Sequence, residues 1–472
     1  MRTRSKSRLT ALFLTALLSA SFWGCGRPGS AFEPASVSSS ERSNDTSDAT
    51  DAADVSSEPE PDVPTVLTVS GVITDAAMHT ITIQPDLDEA QTFSTENAAI
   101  TTGATGLLIG NTAVITYEEN TADNTADALS VSVSDSEENL LSARASELLE
   151  TMTAEEKVRQ MLIGSFTDLE SVSESAFGGY ILFARDFEDR TPEEAAAFIE
   201  SLQSASSLPL LIGVDEEGGE VSRISKYPAY RSSPFLSPQE LYQEGGFERI
   251  KSDTAEKCAL LKSLGINVNF APVCDIAQPS DYIYGRTFGG DAETTSEYVR
   301  TVVSEMLDAG IEPVLKHFPG YGGSTDTHAG LAHDTRPLED FTDSDLLPFE
   351  AGIDAGAGIV LVSHNIVECM DAENPASISP EVHRYLREEM GFDGVILTDD
   401  LAMKGITDFA GNQAALLAIQ AGNDLLCCTN AAAQLPAVLS ALSSGELSEE
   451  RLNESVFRIF LLKLRLGLFE GE

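Results

Sequence analysis

The stretch from Lys316 to His328 holds a distinctive combination of side chains that can transfer protons: Lys-His-Phe-Pro-Gly-Tyr-Gly-Gly-Ser-Thr-Asp-Thr-His. An apolar run ends in Lys316 and His317 and leads into a Gly- and Pro-rich loop that carries Asp326 and His328. A carboxylate beside an imidazole can orient the ring and keep it titrating near neutral pH, which suits a general acid/base. We therefore predict that His328 transfers protons. The alternative is a histidine on a surface loop.

A second stretch with chemical potential is Gly394-Val-Ile-Leu-Thr-Asp-Asp-Leu-Ala-Met403. Asp399 comes directly after an apolar run of strand length, which would hold its carboxylate rigidly, so it is suited to act as a nucleophile or an electrostatic stabiliser. Asp400 could instead cap the helix that follows. We predict a chemical role for Asp399 and a structural role for Asp400.

The elements that must position these side chains are apolar runs of strand length that alternate with helical patterns from residue 140 onward. Continuous apolar strands separated by helices indicate a parallel sheet buried on both faces. Eight such runs predict an α/β domain with a TIM (β/α)8 barrel over 140–472. The eight candidates start at Met161, Gly179, Pro209, Val268, Pro313, Gly358, Gly394 and Asp424.

Polar side chains lie at or just beyond the C-terminal ends of five of these runs. In a TIM barrel that rim is where binding and catalytic sites are built. The pattern predicts one site that draws residues from several strands. The residues are Asp215, Asp275, Lys316 with His317, Ser363 with His364, and Asp399 with Asp400.

The N-terminus is typical of an export signal. Four basic residues within the first eight precede an apolar run, 9–23, and Gly24 and Cys25 follow. A basic segment, about 7–15 apolar residues and small residues at the end form the secretory pattern, which is too short for a stable membrane span. We predict a signal peptide over 1–25 with a lipidated Cys25. Ordinary secretion or an uncleaved anchor are the alternatives.

Two further segments precede the predicted barrel. Residues 26–63 are rich in Ser, Glu, Asp, Pro and Ala, so they cannot offset the entropy of ordering and are predicted to be a disordered acidic linker. Residues 64–137 contain short alternating runs of Val, Ile and Thr between turn residues, which predict a small all-β module of five strands. The module is predicted to be a barrel or a sandwich, with an OB-like fold as one candidate. Nothing in the module has a catalytic pattern.

The charge of the chain excludes one class of partner. There are 29 Lys and Arg against 76 Asp and Glu, a formal net charge of −47. A nucleic-acid binder needs clustered cations to neutralise phosphates, so no nucleic-acid partner is expected. The charge is uneven, since residues 43–143 contain no Lys or Arg and 19 Asp and Glu. The cysteines after Cys25 lie in apolar runs without CxxC spacing and are expected to be buried free thiols rather than disulfides.

Taken together, these motifs resemble the N-terminal barrel of glycoside hydrolase family 3, and in particular its β-N-acetylhexosaminidase branch. The resemblance covers about 140–469. The Asp-Thr-His triplet at 326–328 separates this branch from the family's β-glucosidases, which usually take their acid/base from a following domain. Besides the two stretches described first, the resemblance rests on Val214-Asp-Glu-Glu-Gly-Gly-Glu-Val-Ser-Arg223, Gly265-Ile-Asn-Val-Asn-Phe-Ala-Pro-Val and Gly285-Arg-Thr-Phe-Gly289.

The resemblance implies a retaining, exo-acting β-N-acetylglucosaminidase that acts on peptidoglycan fragments or chito-oligosaccharides. Asp399 is the implied nucleophile, His328 the acid/base and Asp326 its partner. Three positions depart from the family pattern, because Glu220 replaces a common Arg, Tyr321 a common second His and Ala332 a common Pro. The residues implied to hold the terminal sugar are Asp215, Arg223, Arg286, Lys316 and His317.

Other functions remain open at this stage. A β-glucosidase-type family 3 hydrolase is the first alternative. A metal-dependent hydrolase could use His317, His328, His364 and Asp399, although HxH and HExxH spacings are missing, and a Schiff-base aldolase could use Lys316. A non-catalytic surface lipoprotein is the last alternative. We expect a carbohydrate substrate, no cofactor or metal, a monomer, and attachment to the outer face of the cell membrane through the lipid.

Overall fold

The computed structural model describes residues 66–118, 126–323 and 330–469. These residues belong to one compact unit. The predicted signal peptide, Cys25 and the acidic linker lie outside the described residues, as do Asp326 and His328. Within the part of the chain that is described, no helix has both the length and the hydropathy that crossing a membrane requires.

The N-terminal module is a twisted sheet of short strands whose two ends meet. In the described residues the hydrogen-bonded order is β3-β2-β1-β5-β6-β4, and β3 also pairs with β6. The five predicted strands are present, and β4 is an additional strand of three residues that the sequence analysis missed. The strands are β1 (Val66–Ala77), β2 (Thr80–Gln84), β3 (Gln91–Ser94), β4 (Ala99–Thr101), β5 (Thr112–Glu118) and β6 (Ala126–Ser134).

The period-2 pattern places one face of this sheet inside the module. Ile81 and Ile83 of β2, Phe93 of β3 and Ile115 of β5 are buried together, while the residues that alternate with them are half-buried or exposed. On the outer face, Thr82 and Thr92 form a cross-strand hydrogen bond of 2.9 Å between their hydroxyls. His79 lies in the turn between β1 and β2.

The main domain is a closed barrel of eight parallel strands in the order β10-β11-β13-β15-β16-β7-β8-β9. All eight predicted strands are confirmed, and β8, β9, β11, β13, β15 and β16 are buried along their whole length. A separate short pair, β12 with β14, lies outside the barrel. The strands are β7 (Leu162–Ser165), β8 (Gly179–Leu182), β9 (Leu211–Val214), β10 (Val268–Asn269), β11 (Glu312–Phe318), β12 (His333–Asp334), β13 (Ile359–Val362), β14 (Ile366–Val367), β15 (Val395–Thr398) and β16 (Leu425–Cys427).

Helices lie between the barrel strands and cover their outer faces. In the described residues they are α1 (Glu137–Glu150), α2 (Ala154–Gln160), α3 (Leu169–Ser175), α4 (Pro192–Ala205), α5 (Pro238–Ser263), α6 (Ala292–Asp308), α7 (Leu338–Asp340), α8 (Leu347–Asp354), α9 (Pro380–Arg384), α10 (Lys404–Ala410), α11 (Ala414–Ala421), α12 (Ala431–Ser444) and α13 (Glu449–Arg465). Two π-helical turns, Phe341–Asp345 and Tyr385–Glu389, continue α7 and α9.

Helix starts follow the capping chemistry of the sequence. Thr153 caps α2 in a capping box with Glu156, and the Ser448 hydroxyl accepts a hydrogen bond from the Arg451 amide at the start of α13. Arg465, at the end of α13, pairs with Glu138 of α1 at 2.5 Å. The first and last helices of this domain are thereby joined beside the N-terminal ends of the strands.

The five cysteines after Cys25 are all free in the structure, which confirms that prediction for their bonding state. Four of them are buried, but Cys369 is only partly buried, so the prediction of burial is wrong at that position.

Candidate active site

A cavity of about 710 Å³ opens at the C-terminal ends of the barrel strands. All the sugar-binding residues predicted from the sequence line it, and so does the predicted nucleophile. The barrel therefore brings together side chains that are as many as 184 positions apart in the chain, from Asp215 to Asp399. These residues are Asp215, Arg223, Arg286, Lys316, His317 and Asp399.

Charged side chains form a connected network of ion pairs in the floor of this cavity. The Lys316 ammonium lies 2.7 Å from Asp215 Oδ1 and 2.6 Å from Glu217 Oε1. Arg286 donates two hydrogen bonds to the same Glu217 carboxylate, at 2.7 Å and 3.0 Å. Lys316 is 2% exposed and Glu217 5% exposed, so these pairs are shielded from water and their charges interact strongly.

Pairing decides the ionisation of this network. Burial raises the pKa of Glu217, but Lys316 and Arg286 together outweigh it and lower the pKa to about 2. Burial lowers the pKa of Lys316, whereas Asp215 and Glu217 raise it, and the net shift is upward. Both side chains therefore stay charged across the neutral range, and they can present a fixed charge pattern to the hydroxyls of a ligand.

His317 is held by a carboxylate that lies behind the cavity wall. Its Nδ1 is 2.8 Å from Asp275 Oδ2, and its backbone N–H donates to the same oxygen at 3.1 Å. Nε2 is 3.3 Å from Arg286 Nη2, which can only donate. The contacts assign the proton to Nδ1 and make Nε2 an acceptor. Asp275 also accepts the backbone N–H of Tyr321 at 2.7 Å.

A tight turn after β9 places Arg223 beside Asp215. Glu216 is fully buried and accepts the backbone N–H groups of Arg223 and Ile224, each at 2.8 Å. Gly218 has φ +103°, and a Cβ there would lie 2.2 Å from the Leu236 carbonyl oxygen, so only glycine fits. The turn brings Arg223 Nη2 to 3.8 Å from Asp215 Oδ2.

Asp399 and Asp400 occupy different environments at the end of β15. The Asp399 backbone N–H continues the barrel ladder by donating to Val362 at 3.0 Å, and its half-buried carboxylate lines the cavity. The Asp400 carboxylate accepts hydrogen bonds from Ala402 N and from both the amide and the hydroxyl of Thr429. Asp400 thus ties two loops of the barrel rim together.

The structure corrects one detail of the sequence prediction. Asp400 does not cap the next helix, because α10 starts after Met403, which has no side-chain cap. His364, which follows β13, is fully buried, and its ring contacts the Ser377 hydroxyl at 2.7 Å and the Asp400 carbonyl at 3.0 Å.

Part of the cavity lining is apolar. Phe183, Phe270, Leu361 and Met403 contribute to it together with Cys427. Burial, and then the carboxylates of Asp400, Asp399 and Asp215, raise the pKa of Cys427 well above its ordinary value. The thiol therefore stays neutral and contributes an apolar surface rather than a nucleophile.

The predicted acid/base pair cannot be placed, because Asp326 and His328 lie outside the described residues. An ion cluster lies after them in the chain, and the segment that precedes them packs against it. Arg336 lies 2.8 Å from Asp334 and 2.9 Å from Asp345. A Cβ at Gly322, where φ is +54°, would lie 2.4 Å from Arg336 Nη2, so the incoming chain packs directly on this cluster.

Sequence reasoning missed Glu217, which pairs with both Lys316 and Arg286 in the cavity floor. It lies within a motif that was recognised, but an Asp-Glu-Glu run in an acidic chain is usually solvated, so the run alone gave no signal. The two glycines that follow Glu217 were the available clue, because such a pair marks a turn that can fold a carboxylate inward. Within the described residues, no group of three or more His, Cys, Asp or Glu side chains is arranged to hold a metal ion.

Known proteins are similar to this chain over its barrel. Residues 153–462 match the model of the glycosyl hydrolase family 3 N terminal domain. Beta-hexosaminidase LpqI of Mycobacterium tuberculosis is 33% identical over 329 residues, which cover 66% of this chain and 83% of that protein. A beta-hexosaminidase of Xanthomonas campestris pv. campestris is 35% identical over 233 residues, 48% of this chain and 69% of that protein.

Solved structures agree with the sequence relatives. A glycoside hydrolase family 3 β-N-acetylglucosaminidase from Paenibacillus sp. has a TM-score of 0.64 and 32% identity, covering 68% of this chain and 64% of that chain. M. tuberculosis LpqI has a TM-score of 0.61 and 30% identity, covering 67% and 95%. The relatives carry the name of the branch that the motifs predicted. The chain belongs to glycoside hydrolase family 3, and it is a glycoside hydrolase built on that family's N-terminal barrel.

Proposed function

We propose that the protein is a retaining β-N-acetylglucosaminidase that removes terminal β-linked N-acetylglucosamine from chito-oligosaccharides or peptidoglycan fragments. The observation that carries the proposal is the position of Asp399, which comes off a rigid barrel strand into the same cavity as Asp215, Lys316, His317, Arg286 and Arg223. The names of the sequence relatives and of the structural neighbours supply the choice of sugar.

The proposed chemistry has two steps. Asp399 attacks the anomeric carbon of the terminal sugar while His328 donates a proton to the leaving glycosidic oxygen, so that the aglycone leaves as an alcohol and a covalent glycosyl-enzyme remains. His328 then takes a proton from a water molecule, which attacks the same carbon and releases Asp399. Two inversions restore the β configuration. Asp326 would orient the His328 ring throughout.

The charged floor would fix the sugar for this reaction. Paired, buried carboxylates and cations can accept from and donate to sugar hydroxyls, and a substrate that lacks a hydroxyl would leave these groups unsatisfied. Because Lys316 and Arg286 are already held by Glu217, they need little reorganisation when the sugar binds. The apolar residues of the lining would contact the acetamido methyl group and the apolar face of the ring.

Hydrolysis of chromogenic N-acetyl-β-glucosaminide and β-glucoside, measured side by side, tests the proposal. We expect cleavage of the N-acetylglucosaminide with a kcat/KM at least about 100-fold above that of the glucoside, because a missing acetamido group loses specific contacts. Cleavage of the glucoside alone would instead support the β-glucosidase alternative. Proton NMR of the first sugar released checks the mechanism, since a retaining enzyme gives the β-anomer before mutarotation.

The proposal extends to the location of the enzyme. The basic and apolar N-terminal pattern that ends in Gly24 and Cys25 supports export and attachment through a lipid on Cys25. Replacing Cys25 with Ser should move the activity from the membrane fraction to the soluble fraction of disrupted cells. An unchanged distribution between the two fractions would reject the anchor while leaving the proposed hydrolysis untouched.

A further inference from the structure

Glu220 places an exposed carboxylate on the wall of the cavity. It lies at the tip of a tight turn in which Gly218 and Val221 pair through backbone hydrogen bonds of 3.1 Å and 3.4 Å. The side chain extends across Gly285, since a Cβ added to that glycine would lie 3.0 Å from Glu220 Oε1. Both the turn and the glycine opposite it therefore fix where this charge lies.

Glu220 differs from the other cavity carboxylates in its partners. Asp215 is paired with Lys316, and Asp400 is held by Thr429. Among the described residues, no Lys, Arg or His nitrogen lies within 4 Å of the Glu220 carboxylate, so its charge is directed at the contents of the cavity and at solvent.

The remaining charges of the cavity do not offset it. Lys316 and Arg286 are neutralised by Asp215 and Glu217. Lys404, at the rim, is paired with Asp408 on its own helix.

Even with Asp399 left out of the count, two carboxylates, Asp400 and Glu220, face a single guanidinium, that of Arg223, in the described part of the cavity. The contents of the cavity experience a negative field, and low-dielectric walls strengthen such a field relative to bulk water.

We propose that Glu220 is a specificity-determining residue, which makes the cavity favour N-acetylglucosaminides whose second sugar is neutral or carries an ammonium group over those whose second sugar carries a carboxylate. The inference rests on the proposed function. It assigns neutral chito-oligosaccharides as the preferred substrate class, and it assigns fragments with a free muramic acid carboxylate as the disfavoured one. Discrimination arises through repulsion of the wrong substrate rather than through added contacts to the right one.

Three disaccharides with the same terminal sugar test this inference. Chitobiose is neutral, N-acetylglucosaminyl-N-acetylmuramic acid carries a carboxylate, and N-acetylglucosaminyl-glucosamine carries an ammonium group. The kcat/KM of each is measured for the wild-type enzyme, for Glu220→Gln and for Glu174→Gln, which removes an equal charge from the exposed side of α3. Ratios between substrates are taken within one preparation, so that any inactive fraction cancels.

The wild-type enzyme should prefer chitobiose to the muramic acid disaccharide. Glu220→Gln should raise the ratio of the muramic acid disaccharide to chitobiose by about fivefold to tenfold and lower the ratio of the glucosamine disaccharide to chitobiose by a similar factor. Glu174→Gln should change neither ratio. A wild-type preference for the muramic acid disaccharide, or ratios that Glu220→Gln leaves unchanged, would overturn the inference.

Salt dependence of the wild-type enzyme provides a second readout that needs no variant. Raising the salt from about 0.01 M to about 1 M should increase the relative kcat/KM of the muramic acid disaccharide, because screening weakens the repulsion. A flat ratio would contradict the inference. Failure to cleave any of the three disaccharides or a chromogenic N-acetylglucosaminide would overturn the proposed function as well, whereas cleavage with insensitive ratios would overturn only the role of Glu220.

Discussion

At the C-terminal ends of the barrel strands, Glu217 and Lys316 are buried as an ion pair, with 2.6 Å between the carboxylate and the ammonium. At the N-terminal ends, Glu312 and Lys463 are buried just as deeply, but no oppositely charged side chain lies within 4 Å of either one in the described residues. Glu312 accepts the Gly358 backbone N–H at 2.6 Å, and Lys463 donates to Gln160 Oε1 at 2.9 Å.

The buried groups at the two ends of the barrel strands therefore differ in their ionisation. In the active-site floor the pKa of Glu217 is lowered to about 2 despite its burial, because two cations surround it. At the other end, burial raises the pKa of Glu312 to about 8 and lowers that of Lys463 to about 7. The floor therefore keeps permanent charges for ligand binding, whereas the opposite end couples folding stability to pH near neutrality.

The largest expected effect comes from removing the carboxylate of Asp399, the proposed nucleophile. Asp399→Ala should lower kcat by at least about 10⁴-fold, because a group that forms the covalent intermediate has no substitute in the cavity. The free energy of unfolding of the variant should stay close to that of the wild-type protein, since Asp399 is half-buried at the cavity wall. Steady-state kinetics with a chromogenic N-acetylglucosaminide and urea unfolding measure the two quantities.

Azide distinguishes a missing nucleophile from a damaged site. A small anion can occupy the space left in Asp399→Ala and attack the anomeric carbon, so azide should restore turnover and yield the α-glycosyl azide. Wild-type-like turnover in Asp399→Ala would refute the assignment. Loss of turnover without any azide product would argue that the residue positions the substrate rather than reacting with it.

A second test separates the floor from an ordinary surface network. Glu217→Gln leaves Lys316 with Asp215 as its remaining carboxylate partner and leaves Arg286 with no carboxylate within 4 Å among the described residues. We expect kcat/KM to fall about 100-fold and the free energy of unfolding to fall by about 3 kcal/mol, since breaking one side of a buried pair strands a charge. Kinetics and urea unfolding provide both numbers. Effects below about threefold and 0.5 kcal/mol, comparable to those of Glu174→Gln, would show that the network is solvent-screened.

The sequence was sufficient for the part of this architecture that depends on local patterns. The eight apolar runs predicted the barrel strands. The polar residues at their ends predicted five side chains of the cavity, Asp215, Lys316, His317, Asp399 and Asp400, whereas Asp275, Ser363 and His364 are buried outside its lining. Glu217 was missed because its role depends on Arg286, which lies 69 positions away and reaches it only through the barrel. Asp400 was wrongly expected to cap α10, because local sequence cannot show that Thr429 competes for its carboxylate.

The titratable groups at the N-terminal ends were equally invisible in the sequence. Glu312 is the first residue of β11, a position where a charged residue usually marks the solvent-exposed end of a strand. Lys463 lies in the last turn of the amphipathic helix α13. Both are 4% exposed or less, since α13 and the neighbouring strand ends cover them. Burial of this kind is a property of tertiary packing.

The third prediction tests the contrast through pH. The ordinary glutamate pKa is about 4.3, and that of Glu312 in the folded protein is about 8, so folding takes up a proton between these values. The contribution of this group to the free energy of unfolding is complete below about pH 4 and is lost as the pH rises through 8. Glu312→Gln keeps an acceptor for Gly358 and should remove this loss, raising the free energy of unfolding at pH 9 by about 2–4 kcal/mol relative to wild type.

Urea unfolding at pH 5 and pH 9 measures this effect, with Glu297→Gln on the exposed side of α6 as the control for charge. The difference between Glu312→Gln and wild type should be small at pH 5 and large at pH 9, while the control stays constant. Equal differences at both pH values would mean that Glu312 is ionised in the folded protein and that the contrast with Glu217 is wrong.

The variant at Lys463 should show the opposite pH dependence and the smallest change in the free energy of unfolding. The pKa of Lys463 is lowered from the ordinary lysine value of about 10.4 to about 7. The contribution of this group to the free energy of unfolding is therefore complete above about pH 10.4 and is lost as the pH falls through 7. Lys463→Met fills the same volume without a charge and should raise the free energy of unfolding by about 1–2 kcal/mol at pH 6, with Gln160 losing one hydrogen bond in part compensation. The gain should vanish by about pH 10, and exposed Lys262→Met should show no such pH dependence. A destabilised Lys463→Met at pH 6 would show that the hydrogen bond to Gln160 outweighs the cost of burying the ammonium group, and that an unpaired charge at this end of the barrel is as well accommodated as a paired one at the other.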